Sequence, residues 1–292
     1  YEQAMQSLPY IASGVTINRI EVWVTNKRGN YDEARNIVAL SDLGENDAQH
    51  VLNAAWSVDA GARTPHNKAN SLYETLVGSY AHVRDIQQVS GVMQSLSGME
   101  LGEDYEKVES ARLLNNGEYT LNSALGYISL KTALHQDEVL AVAYEYTYAG
   151  QVYQVGEFST DGGEALKAPN ALLLKLLKST NNAPDKKGKG TWDLMMKNVY
   201  SLGANQMSSD NFELYIQYRN DSVGTEMQYL MEGAVKGKQL LRVMNLDRLD
   251  ARNNTSPDGR FDYVEGYTAL SSSGRIIFPV LEPFGSHLAK AI

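Results

Sequence analysis

The chain has 292 residues, 43% of them hydrophobic, which allows one large domain or two of ordinary size with a substantial core. A formal net charge of −9 and a pI near 5.1 argue against a nucleic-acid groove and against broad adhesion to anionic membranes. There are no cysteines, which excludes disulfides, cysteine-based metal sites and cysteine nucleophiles.

The first residues, YEQAMQSLPY, lack the basic and apolar regions of a signal peptide, and no apolar run reaches the roughly 18 residues of a membrane helix. The chain begins at Tyr1 rather than Met, so it is expected to be a piece of something longer. Residues 1–45 read as the first half of a β module. Thr16 to Thr25 alternates, with Ile20, Val22 and Val24 on one face and Arg19, Glu21 and Thr25 on the other. A second strand, Asn36 to Ser41, ends in Asp42-Leu43-Gly44-Glu45. Residues 46–100 change character and read as a helical insert. Asp47 can cap a helix to about Trp56, and Asn70 or Ser71 a longer one ended by Gly91 or Gly98.

Residues 101–160 return to short β runs that complete the first module. Asn115-Asn116-Gly117-Glu118 is a hairpin signal, and Ala149-Gly150 separates two alternating runs as a two-residue turn. Residues 161–190 read as a helix, Ala171 to Leu177 with Lys175 inside it, and a polar linker TNNAPDKKGKG. Residues 191–292 read as a second β module, with strands Trp192 to Tyr200 and Asn211 to Arg219 and an apolar run Ile276 to Leu281. Its expected core includes Trp192, Leu194, Met196, Phe212, Leu214, Ile216, Ile277 and Phe278. INRIEVWVTN followed by NIVALSDLGE echoes NFELYIQYRN followed by LLRVMNLDRLD. The expected fold is therefore α+β, mainly β: two related β-sandwich-like modules with a helical insert.

The densest chemistry lies between Leu240 and Gly285. Asp247, Asp250, Asp258, Asp262 and Glu265 gather oxygen ligands around the turn Pro257-Asp258-Gly259. Their spacing does not fit an EF-hand, so a calcium loop is the lesser reading beside carboxylates that hold the turns of a long loop. Gly233 to Gln239 resembles a phosphate loop but has one residue too few between its glycines and Gln in place of Ser/Thr. Lys186, Lys187 and Lys189 read as a solvated basic run. The five histidines are scattered, and neither His-Glu-x-x-His nor Gly-x-Ser-x-Gly occurs, so no catalytic residue is assigned and no enzyme is expected. Eighteen tyrosines against five phenylalanines draw the eye to Tyr144, Tyr146 and Tyr148 on one strand face, and to Tyr215 and Tyr218, as an aromatic platform for a sugar or a protein.

Several long motifs carry a resemblance. These are TWDLMMKNVYSLGA (Thr191 to Ala204), LLRVMNLDRL (Leu240 to Leu249), PDGRFDYVEG (Pro257 to Gly266) and GRIIFPVLEPFG (Gly274 to Gly285), together with Arg19 to Asn26 and Asn36 to Glu45. They resemble the SprA/Sov family, very large outer-membrane proteins of Bacteroidetes that form the translocon of the type IX secretion system and serve gliding motility. The resemblance covers both ends of the chain and is weaker between about 46 and 160. It implies a transport and structural role at the outer membrane, with other translocon proteins and transiently secreted proteins as partners and no catalytic residues to carry over. The chain lacks repeated lipid-facing strands, so a domain inserted between barrel strands is expected, facing the cell exterior or the periplasm. The alternative expectation is an extracellular carbohydrate- or protein-binding β-sandwich module.

Overall fold

The computed structural model describes residues 1–292 except 30, 32, 97, 182–189, 223 and 232. Most of the linker expected at 180–190, with its three lysines, lies outside the described residues. Strand exceeds helix, 26% against 17%, and the chain is mainly β. The helices are α1 (Glu2–Met5), α2 (Ser71–Ser79), α3 (Val89–Ser95), α4 (Thr191–Leu194), α5 (Leu240–Val243) and α6 (Leu288–Ala291). Among the described residues only α2 and α3 of these exceed about one turn, and both fall in the expected insert. Asn70 caps α2 by accepting from Leu72 N–H at 3.1 Å. Residues 47–56 form turns rather than a helix, with Asp47 accepting from Gln49 N–H.

Two compact units divide the chain, Gly14–Met195 and Tyr1–Ser13 with Met196–Ile292. The first holds β1 (Val15–Val24), β2 (Arg35–Leu40), β3 (Tyr105–Leu113), β4 (Tyr119–Asn122), β5 (Tyr127–Leu130), β6 (Leu140–Tyr148), β7 (Gln151–Val155) and β8 (Leu172–Lys178). The order β1-β3-β2-β8-β6 closes because β6 also pairs with β1, giving a five-strand mixed β-barrel in which only β2–β8 is parallel. This corrects the expected sandwich. Closure gives every strand an inner and an outer face, and on β2 and β8 both are buried over most of the strand.

The inner set comes from alternate positions of all five strands: Trp23, Ile37, Ala39, Val108, Ala111, Ala141, Ala143, Leu172, Leu174 and Leu176. A five-strand barrel is narrow, so one tryptophan is accommodated by four alanines around it. Val38, Leu40 and Leu173 point outward and are covered by the insert through Leu72, Leu76, Val89 and Met93. Val22, Val24, Leu140 and Val142 point outward elsewhere and are covered by the β4–β5 hairpin through Tyr119, Ile128 and Leu130. One sequence expectation fails for this reason. Ala171 to Leu177 is not a helix: from Leu172 on it is strand β8, largely apolar on both faces because both are covered. The face of β1 carrying Ile20, Val22 and Val24 is its outer face, and Glu21 and Trp23 turn inward.

The Ala149-Gly150 turn forms as expected, with φ of 50° and 78°, joining β6 and β7 in register Tyr148↔Gln151. The Asn115 turn also forms, Asn115 accepting from Gly117 N–H at 2.9 Å, but it joins β3 to a strand that pairs elsewhere. Gly156, at φ +79°, carries the chain from β7 across β6. A Cβ there would stand 3.1 Å from Ala143 Cα and Val142 O.

The second unit has little regular structure: β9 (Val199–Ser201), β10 (Tyr218–Arg219), β11 (Glu226–Met227), β12 (Ala269–Leu270) and β13 (Arg275–Ile277). β12, β13 and β9 make one small antiparallel sheet and β10–β11 a ribbon. The expected strand Trp192 to Tyr200 is the single turn α4 followed by β9. Trp192 and Leu194 belong to the other unit, and Leu194 is 42% exposed. The core is Leu241, Met244, Leu246, Phe261, Ala269, Ile276 and Phe278, with Phe212, Leu214 and Ile216 partly buried against it. The sequence echo between the two ends is not a structural repeat. Leu240–Val243 is helical where its counterpart is β2, and β1 and β2 are separated by β3.

Candidate functional site

In the acidic loop, each expected ligand is turned toward the chain's own donors. Asp247, whose side chain is wholly buried, accepts from Asp258 N–H (3.0 Å) and Gly259 N–H (3.1 Å), and Arg242 Nε lies 3.4 Å from its other oxygen. Asp262, 6% exposed, accepts in the opposite sense from Arg248 N–H (2.7 Å) and Leu249 N–H (3.2 Å). These two carboxylates form a reciprocal clasp: each end of the loop caps the amides just inside the other. Asp250 accepts from Arg252 N–H and Asn254 N–H, Asp258 from Arg260 N–H (3.0 Å), and Glu265 from Ser271 N–H and hydroxyl.

Burial and the clasp set the electrostatics. Burial pushes the Asp262 carboxyl up to about 6, against the pull of its two amide donors, and the charges of Asp247 and Asp258 push it the same way. Exposed Asp250 is held below the usual carboxylate range by the Asn254 side chain and amide. Phe261 and Tyr263 flank Asp262 and both touch Phe212, at ring separations of 5.6 and 5.3 Å, so rings and carboxylate point to opposite sides. Among the described residues no group of three or more His, Asp or Glu side chains is arranged to hold a metal ion.

The tyrosine face of β6 is divided by burial. Tyr146 is 4% exposed, stacks on Tyr153 at 5.4 Å and donates to Pro65 O at 2.6 Å. Tyr144 is half-buried, 6.0 Å from the Tyr146 ring, and burial raises its pKa. Tyr148, 42% exposed, is the one of the three open to solvent. In the second unit Tyr215 and Tyr218 are 51% and 41% exposed. The Gly233 to Gln239 segment is a turn flanked by the antiparallel bridge Tyr229↔Gln239.

Three buried polar clusters were not singled out by the sequence reading. Arg84 holds Glu157 through two bonds, 2.8 and 2.6 Å, while Tyr73 hydroxyl (2.9 Å) and Leu173 N–H (2.8 Å) also donate to that carboxylate. This bolts the insert to the barrel. Lys175 on β8 reaches Ser41 O and Glu45, beside the buried Asp42, which caps Leu52 and Asn53 and whose pKa is raised by burial. The third cluster sits on the inner face of β1. Glu21 accepts from Trp23 Nε1–H (3.2 Å) and from Ser159 N–H and hydroxyl (3.0 Å each), with the Arg19 guanidinium 3.7 Å over the Phe158 ring. The signals were a lysine within an apolar run and a glutamate two residues from a tryptophan. Neither pattern names its partner.

These features define a mainly β protein on a closed five-strand barrel, with a second unit organised by carboxylate-capped loops. No protein-family model matches the chain, and no curated protein matches it.

Proposed function

We propose that the chain is a domain of an outer-membrane protein-secretion translocon of the type IX system, in the manner of the SprA/Sov family. It would cap, line or gate the pore or dock secretion partners, and it would act without catalysis. The observation that carries this reading is the series of long motifs at both ends of the chain. What those motifs do in the fold supports an architectural role. Asp42 and Glu45 of the first motif pair hold the 52–53 amides and Lys175, and Asp247 and Asp262 of the later motifs hold each other's loop ends. No described helix is long and apolar enough to cross a membrane, which fits a domain carried between spanning elements supplied by flanking sequence.

The test is an in-frame deletion of the segment in the full-length protein of its own bacterium. The expected result is loss of secretion and of gliding while the rest of the protein still accumulates in the outer membrane. Unchanged secretion, or flanking sequence without amphipathic strands of about ten residues, sinks the reading.

A further inference from the structure

Residues 212–217 run directly into β10 and lie in no helix, strand or turn. Their burial nonetheless has a period of two: Phe212, Leu214 and Ile216 pack on the core, while Glu213, Tyr215 and Gln217 are exposed. That is the pattern of a strand whose ladder is missing. Among the described residues, 213–217 make no backbone hydrogen bond outside regular elements, and they belong to none. Backbone groups left this way need either water or a partner strand.

The β10–β11 ribbon fixes which way these groups point. Asn220 N–H donates to Thr225 O (3.2 Å), so those residues are a hydrogen-bonded pair of an antiparallel ribbon. Counting back by twos, Tyr218 turns its backbone groups toward β11. Arg219, Gln217, Tyr215 and Glu213 turn theirs away from it. Among the described residues the ribbon has two strands, so this outward edge carries no partner strand along four alternate residues. β11 itself leaves after Met227, where Leu240 N–H takes Gln228 O at 2.8 Å.

We propose that the outward edge from Glu213 to Arg219 is a docking site for an extended peptide strand, which completes the ladder by β-augmentation. A second copy of the chain is the weaker occupant. The net charge of −9 opposes self-association, and a ladder of four residues falls far short of the roughly 1,600 Å² that a stable interface buries. A peptide needs only the backbone contacts. Its favoured sequence alternates, with apolar side chains beside Leu214 and Ile216 and no carboxylate opposite Glu213, which already holds the Tyr215 hydroxyl at 2.6 Å. The inference stands on backbone geometry and goes beyond the secretion reading.

The probe is a fluorescein-labelled eight-residue peptide of alternating Thr and Val with Lys at each end, titrated against the full chain by anisotropy. Saturable binding is expected, lost when every second peptide amide on the pairing edge is N-methylated. Tyr215→Pro removes one ladder donor and should weaken binding at least about tenfold, whereas Tyr215→Ala keeps the amide and should change it by no more than about threefold. The Tyr215 amide has no partner among the described residues, so Tyr215→Pro should melt close to the parent. Gln217→Pro repeats the test should the first variant fail to fold. Absence of saturable binding overturns the proposal, as does equal binding of the N-methylated peptide. Equal loss in Tyr215→Ala would mean a side-chain platform, and a concentration-dependent dimer abolished by Tyr215→Pro would mean that a second copy owns the edge.

Discussion

Neutralising Asp262 should stabilise the second unit at neutral pH. Its carboxyl titrates near 6 in the folded chain against 3.8 for a free side chain. Between those values the folded state binds more protons than the unfolded one, so stability is greatest in acid and falls as pH rises through the window. A shift of this size corresponds to at most about 3 kcal/mol, at about 1.4 kcal/mol per unit, and is flat above about pH 7. Asp262→Asn retains an oxygen that can serve both Arg248 and Leu249 N–H but carries no charge toward Asp247 and Asp258. It should equal the parent near pH 4 and exceed it by about 1–2 kcal/mol at pH 7. Asp262→Ala leaves both amides unpaired and should cost about 1–3 kcal/mol at every pH. The three tryptophans, Trp23, Trp56 and Trp192, all lie in the other unit, so fluorescence reports the wrong part of the chain. Hydrogen exchange of the 248–249 amides in graded urea, corrected for intrinsic pH dependence, reads the right one. Stability that rises between pH 4 and 6, or an Asn variant clearly weaker than the parent at pH 7, refutes the reasoning.

Arg84→Met strands Glu157, 3% exposed, without its counter-ion and should cost about 3–5 kcal/mol by tryptophan-monitored urea unfolding. A cost under about 1 kcal/mol would mean that the pair does not bolt the insert to the barrel. Ala141→Leu overfills the barrel beside Trp23 and should cost about 1–3 kcal/mol or more, whereas the same change at an exposed strand position should be nearly neutral. Calcium should leave the melting temperature unchanged, because the loop carboxylates already serve amides. A rise of about 2.7 kcal/mol in stability at a hundredfold excess over Kd, abolished by Asp258→Asn, would make the loop a metal site.

Much of the barrel was legible strand by strand and little of it as a barrel. Alternation located β1, β6 and β7, and the Ala149-Gly150 turn set a register by itself, since a two-residue loop permits only one. What alternation cannot report is closure. β8 lies between β2 and β6, parallel to one and antiparallel to the other, and no local signal chooses those partners. On β8 closure buries the inner face and the insert covers the outer one, which removes the solvent face on which the helix-or-strand distinction depends. Residues 171–177 are apolar at nearly every position because both faces of β8 are covered, and such a run fits either element. Alternation set Ile20, Val22 and Val24 on one face of β1 and Glu21 on the other, as the structure has them, but nothing local says which of the two faces lines the barrel.

The acidic loop was more legible, because short polar side chains act over short range. Pro257-Asp258-Gly259 marks the turn, and the carboxylates expected to hold the loop's turns do accept its amides. What spacing could not give was the exchange of caps across eleven to fourteen residues. That exchange has a physical consequence. The second unit has few ladders, so its backbone amides must be satisfied by side chains, and carboxylates are the strongest acceptors available. Using two of them at one closure buries a carboxylate and brings like charges beside it; burial first, and those charges second, push Asp262 up to about 6, while Asp250, paired with Asn254, is held low. A loop closed in this way holds its geometry at an electrostatic cost that a proton, or the amide of Asp262→Asn, removes.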